Sequence, residues 1–169
     1  MNKLSPYDNL YAVSENNCLW GNEPGRLIRK LKHFDHGEKV LDIVLSYDPL
    51  EDQWESVASM PTARAFAGAA PAAGRIYVIG GRDGEKELET NESYSPTRDV
   101  QGGEAWQIEA PIPTTGYGIG VESVGDMLFI VGDEGVWQFT AGSGTWNYDE
   151  SKIPFGSLND FGYSLLESY

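Results

Sequence analysis

The sequence predicts an all-β chain built from repeated four-stranded units. Three observations carry this reading. The composition favours strands: the 169 residues include 20 Gly, 9 Pro, 5 Trp and 9 Tyr. Gly and Pro weaken helices, while aromatic and β-branched residues suit pleated surfaces. An apolar strand running into glycine occurs twice, as Ile76-Tyr77-Val78-Ile79-Gly80-Gly81 and, 52 residues on, as Leu128-Phe129-Ile130-Val131-Gly132-Asp133. An aromatic residue seven positions before a tryptophan also recurs, Tyr47 with Trp54 and Phe139 with Trp146.

Each element then follows in order. Leu10-Tyr11-Ala12-Val13 is a weaker copy of the apolar strand, without the glycines. Tyr47-Asp48-Pro49 and Tyr94-Ser95-Pro96 end strands in turns, because proline fixes φ. Tyr94 is followed by Trp106 after a polar loop from Thr97 to Glu104. A tryptophan there is an apolar body that can wedge between neighbouring sheets. Met60-Pro61, Ile112-Pro113 and Ile153-Pro154 each precede a strand rich in small residues, such as Ala65-Phe66-Ala67-Gly68-Ala69-Ala70. Small residues suit a place where several strands converge. A four-stranded sheet with a narrow inner edge, repeating at about 50 residues, is a propeller blade.

The glycine-terminated strand, the Tyr/Phe–Trp pairs (Tyr47/Trp54, Tyr94/Trp106, Phe139/Trp146) and the proline before each inner strand together resemble the kelch-repeat β-propeller family, the galactose oxidase/kelch-like superfamily. The first copy lacks the double glycine and the third carries Gly132-Asp133 instead, so the blades are degenerate. The expected layout is blade 1 over about 9–58, blade 2 over 62–109, blade 3 over 114–149, and one extra inner strand over 160–168. Blade 1 is then short of its own inner strand, and the third strand of that blade is expected over Val40–Tyr47.

Three blades do not close a ring, since propellers close with about four to eight. Either two copies exchange inner strands to make a six-bladed homodimer, or the sequence is a piece of a longer propeller. In the resembled family one face, made by the loops between the second and third strands of each blade and between successive blades, usually carries the ligand. That implies a binding scaffold for a protein or peptide. The alternative is a propeller that handles an acidic, sialic-acid-type sugar.

The candidate ligand residues sit on that loop face. Arg64, Arg82 and Tyr117 would form an arginine–aromatic rim able to hold a carboxylate and stack a planar group. Arg26, Arg29 and Lys30 lie in a long basic insertion, roughly Ser14 to Lys39. Residues 1–39 carry net +1 within a chain of net charge −14. That insertion suits an acidic partner; its plain alternative is a solvated loop. Arg64 likewise has the plain alternative of pairing with an acidic neighbour.

Other chemistry is not expected. The acidic balance argues against nucleic-acid and anionic-membrane binding, which need a basic surface. No apolar run approaches the roughly 20 residues of a membrane span. Met1 to Asp8 contains no apolar leader, which favours a cytoplasmic location. His33 and His36 share one loop with the lone Cys18, a poor fit to metal ligation or to the copper oxidases of the resembled superfamily. Glu122 and Glu167 fall on predicted inner strands. No triad, phosphate loop or dinucleotide fingerprint appears, so no cofactor and no catalytic residue are expected.

Overall fold

The computed structural model describes residues 10–13, 18–20, 40–48, 51–114, 119–132 and 135–149. They form three antiparallel four-stranded sheets, as expected for kelch-type blades. The first contains β1 (Leu10–Val13), β2 (Cys18–Trp20), β3 (Val44–Asp48) and β4 (Gln53–Ser56), in the order β2-β1-β3-β4. The second runs in chain order through β5 (Gly68–Ala72), β6 (Arg75–Ile79), β7 (Asn91–Tyr94) and β8 (Trp106–Ile108). The third does the same with β9 (Gly120–Val124), β10 (Met127–Gly132), β11 (Gly135–Thr140) and β12 (Thr145–Asp149).

The first sheet corrects one expectation. Its innermost position is filled by β2, which pairs with β1 in the register Tyr11↔Trp20 and Val13↔Cys18. The seat expected to await a strand from another copy is therefore taken by the same chain. β2 was hidden because Cys18-Leu19-Trp20 is only three residues long and is flanked by polar residues. The extra inner strand expected at 160–168 lies outside the described residues.

A second difference concerns the small-residue strand expected over Ala65 to Ala70. Arg64 and Ala65 make isolated bridges to Leu41 and Arg82, then Phe66 takes φ 58°, and the regular strand starts at Gly68. A non-glycine residue at positive φ interrupts the pleat. The polar loop after Tyr94 also holds a short helix, α1 (Pro96–Val100), capped by Ser95, whose hydroxyl accepts from the Arg98 amide. Ser at the cap followed by Pro is a recognisable helix start.

The inner strands lie side by side, β5 between β2 and β9. A Cβ on Gly68 would collide with the Val121 side chain and lie 3.0 Å from the Ile119 carbonyl, so only glycine fits there. Between the second and third sheets, Ala70, Ala72, Tyr77 and Ile79 pack with Leu128, Ile130 and Phe139 into one core. Tyr77 meets Phe139 edge-on, with ring centroids 5.7 Å apart. Between the first and second sheets, Val44 and Met60 pack against Ala67 and Val78.

The aromatic pairs read from the sequence are cross-strand neighbours in every sheet. Tyr47↔Trp54, Tyr94↔Trp106 and Phe139↔Trp146 are in register, with ring centroids 5.0, 5.2 and 4.7 Å apart. The two tyrosines donate their hydroxyls to the carboxylates five residues on, Asp52 at 2.5 Å and Asp99 at 2.6 Å. In the third sheet the pair has lost this bond, because Phe139 has no hydroxyl and the fifth residue on is Gly144.

Candidate binding rim

The loop face is built by connections that leave the sheets at one end, among them the β6–β7 loop and the segment joining β4 to β5. The β6–β7 loop begins at Gly80 and Gly81, both at positive φ, 65° and 92°. A Cβ on Gly81 would lie 2.6 Å from the Ala65 carbonyl. This close approach lets Arg82 exchange both backbone hydrogen bonds with Ala65, each 2.9 Å. Arg64 pairs with Leu41 on its other side, and Arg82 bridges to Glu87. A small backbone ladder thus runs across the rim from the first sheet to the second.

The tip of the loop is fixed by its own turn. The Asp83 carboxylate accepts from the amides of Lys86 at 2.9 Å and Glu85 at 3.0 Å. Those amide contacts, Lys86 first, hold the Asp83 carboxyl below its ordinary pKa. Glu85, Lys86 and Glu87 stand exposed. The result is a well-supported projection with charged side chains of both signs.

Arg64 does not take part in that surface. It is 0% exposed, and its Nη2 lies 2.6 Å from Glu92 Oε2. Its Nη1 donates to the carbonyls of Gly80 at 3.1 Å and Thr90 at 3.3 Å, and its Nε donates to Thr62 at 3.2 Å. Thr62 in turn donates its hydroxyl to Glu92 Oε1 at 2.5 Å. The guanidinium is consumed by the protein, so Arg64 acts as a strut beneath the rim and not as a ligand contact. The acidic-sugar reading, which called on Arg64 or Arg82, is left with Arg82. Sequence reasoning did not single out Glu92. Its place inside a strand that is buried throughout, Asn91-Glu92-Ser93-Tyr94, is the signal that a charged partner must meet it.

Of the other candidates, Arg82 stands at the rim, half-buried, with Nη2 3.4 Å from the Gly84 carbonyl. Tyr117, Arg26, Arg29 and Lys30 lie outside the described residues, as do Glu167 and both histidines. Glu122 is exposed on β9, opposite Phe129 of β10. Among the described residues, no group of three or more His, Cys, Asp or Glu is placed to hold a metal ion. Among them, too, no helix is long and apolar enough to cross a membrane. A cavity of about 260 Å³ lies at the opposite end of the second sheet, at the β5–β6 turn, lined by Pro71, Ala72, Ala73, Gly74, Arg75, Ile76 and Pro96.

Comparison with known proteins agrees with this architecture. Residues 63–101, which span β5 to α1 and the whole β6–β7 loop, match the family described as Kelch motif. The chain is 30% identical over 114 residues to Kelch-like protein 35 of Mus musculus, covering 65% of this chain and 19% of that protein. It is 35% identical over 78 residues to Kelch-like protein 4 of Homo sapiens, covering 46% of this chain and 10% of that one. Beta-scruin of Limulus polyphemus is 37% identical over 82 residues, covering 48% of this chain and 8% of that protein. The matched region thus spans less than a fifth of each relative.

Proposed function

For this chain of the kelch-repeat family, we propose a binding scaffold whose loop face docks a protein or peptide partner. The observation that carries the reading is the β6–β7 projection. Glycine-driven backbone contacts and the buried Arg64–Glu92 pair support its base, while Glu85, Lys86 and Glu87 face solvent at its tip. Rigid sheets presenting polar loops suit recognition, because little order is lost when a partner binds. The kelch-like relatives place the chain among repeat proteins, and the fold alone does not name a partner.

The test is quantitative affinity capture from a lysate with three baits: the unaltered chain, the double variant Glu85→Lys/Lys86→Glu, and Arg98→Glu at the opposite end. Loss of complementary rim charges should lower recovery of a specific partner about tenfold or more, equivalent to about 1.4 kcal/mol. Arg98→Glu should leave recovery unchanged. Equal recovery by all three baits would overturn the assignment of this face.

A further inference from the structure

Arg75 opens β6 at the end of the second sheet away from the loop face, half-buried in the wall of the cavity at the β5–β6 turn. The rest of that wall is Pro71, Ala72, Ala73, Gly74, Ile76 and Pro96, none of them ionisable. The guanidinium is fixed in place. Its Nε donates to the Ser93 hydroxyl at 2.7 Å, and its Nη2 donates to the Ser93 carbonyl at 2.9 Å. The same hydroxyl donates to Glu109 Oε1 at 2.6 Å, which directs its proton to Glu109 and its lone pairs to Arg75. Both of these acceptors are uncharged, so Ser93 holds the cation in position without neutralising it.

The repeat itself does not require a cation at this place. Arg75 corresponds to Met127, 52 residues on. Counted from Tyr94 and Phe139, the equivalent aromatic residues, Ser93 corresponds to Gln138 and Pro96 to Ala141. In the third sheet Gln138 Nε2 donates to the Met127 sulfur at 2.7 Å, an uncharged contact across the same two strands. Both sheets pair these strands antiparallel all the same, β6 with β7 and β10 with β11. The arginine and the proline therefore belong to the second sheet in particular and are not a demand of the blade. A guanidinium set among apolar walls attracts an anion more strongly than one in open water, because the local dielectric is lower.

We infer that this cavity binds a small branched aliphatic carboxylate. The Ser93 contacts occupy Nε and one hydrogen of Nη2, so the carboxylate meets the end of the fork, at Nη1 and the second hydrogen of Nη2. The alkyl part rests on Pro71, Ile76 and Pro96. At about 260 Å³ the cavity is smaller than the roughly 300–1,000 Å³ of sites that take drug-sized molecules, which limits the occupant to a few carbons. A free short-chain acid and a peptide terminus ending in leucine offer this same chemistry. The site lies at the opposite end of the sheet from the loop face and does not depend on any partner docked there.

The test titrates isovalerate into the 169-residue chain and follows the backbone amide chemical shifts. Saturable shifts centred on Ala73, Arg75 and Ile76 are expected, with a dissociation constant of about 1 mM. Isoamyl alcohol, which has the same alkyl group and no charge, should bind about tenfold more weakly, and Arg75→Gln should weaken isovalerate by a similar factor. Ala73 sits at φ 47°, a region that Asn and Asp tolerate. Ala73→Asp should therefore repel the acid while Ala73→Asn, of the same size, leaves its binding unchanged; neither touches Arg75. Amide shifts away from the cavity that match the unaltered chain show that each variant is folded. A short peptide ending in leucine, with a free or an amidated terminus, separates the two sources. Tighter binding of the free terminus than of isovalerate assigns the site to a chain end, weaker binding to a free acid, and either supports the site. Equal binding of acid and alcohol, acid binding that survives Arg75→Gln, or no saturable shift at tens of millimolar would overturn the inference.

Discussion

The indole N–H of Trp106 is donated to the carbonyl of Ala58, 2.8 Å away in the segment that leaves the preceding sheet. The same residue is held from its other side, because the Ala58 amide donates to Asp99 at 3.0 Å. Asp99 also receives the Tyr94 hydroxyl, and the Tyr94 ring packs at a tilt against Trp106. One blade thereby grips a single residue of its neighbour through both its backbone donor and its backbone acceptor. Trp146 repeats the acceptor half of that grip on Ala110.

Trp106→Phe should keep the apolar contact and lose the donor. A half-buried carbonyl left without its partner costs about 1–3 kcal/mol. The urea midpoint of unfolding should fall accordingly with little change in the slope. A variant as stable as the parent would show that the bond contributes nothing net.

The pair Arg64–Glu92 makes a sharper prediction, because both side chains are almost wholly inaccessible. Arg64→Met alone leaves a carboxylate buried without its cation and should cost about 3–5 kcal/mol. The double change Arg64→Met/Glu92→Leu removes both charges and should recover most of that loss. Urea denaturation of the two single variants and the double variant completes the cycle. Additive losses would mean that the two residues act separately.

Gly81 and Gly84 share positive φ values, 92° and 96°, but not surroundings. A Cβ at Gly81 meets the Ala65 carbonyl at 2.6 Å, whereas at Gly84 the nearest atom is a Val40 methyl at 3.8 Å. Gly84→Ala should therefore cost only the conformational term, about 1–2 kcal/mol. Gly81→Ala should cost clearly more, since the ladder to Ala65 must open as well. Thermal unfolding of the two variants measures the difference, and equal costs would remove the steric argument.

Much of this was legible in the chain. The seven-residue spacing of Tyr47/Trp54 and Phe139/Trp146 placed each pair in register across a hairpin, since both members belong to adjacent strands with a short turn between them. The double glycine marked its turn because no other residue tolerates that approach. What was not legible depends on distance along the chain. Arg64 meets Glu92 across 28 residues, and nothing local in Arg64-Ala65-Phe66 says whether its guanidinium turns inward. β2 escaped notice because a three-residue strand has too few positions to show a period of two. The α1 start at Ser95-Pro96 carried a usable signal that was read only as a turn.

The placement of β2 has a consequence for how the chain comes together. Its partner strand lies only a few residues upstream, so the first sheet completes its inner edge through a local hairpin. Such a contact closes quickly and does not wait for distant segments. All four strands of the first sheet come from residues 10–56, so that sheet can assemble before the two that follow it are in place.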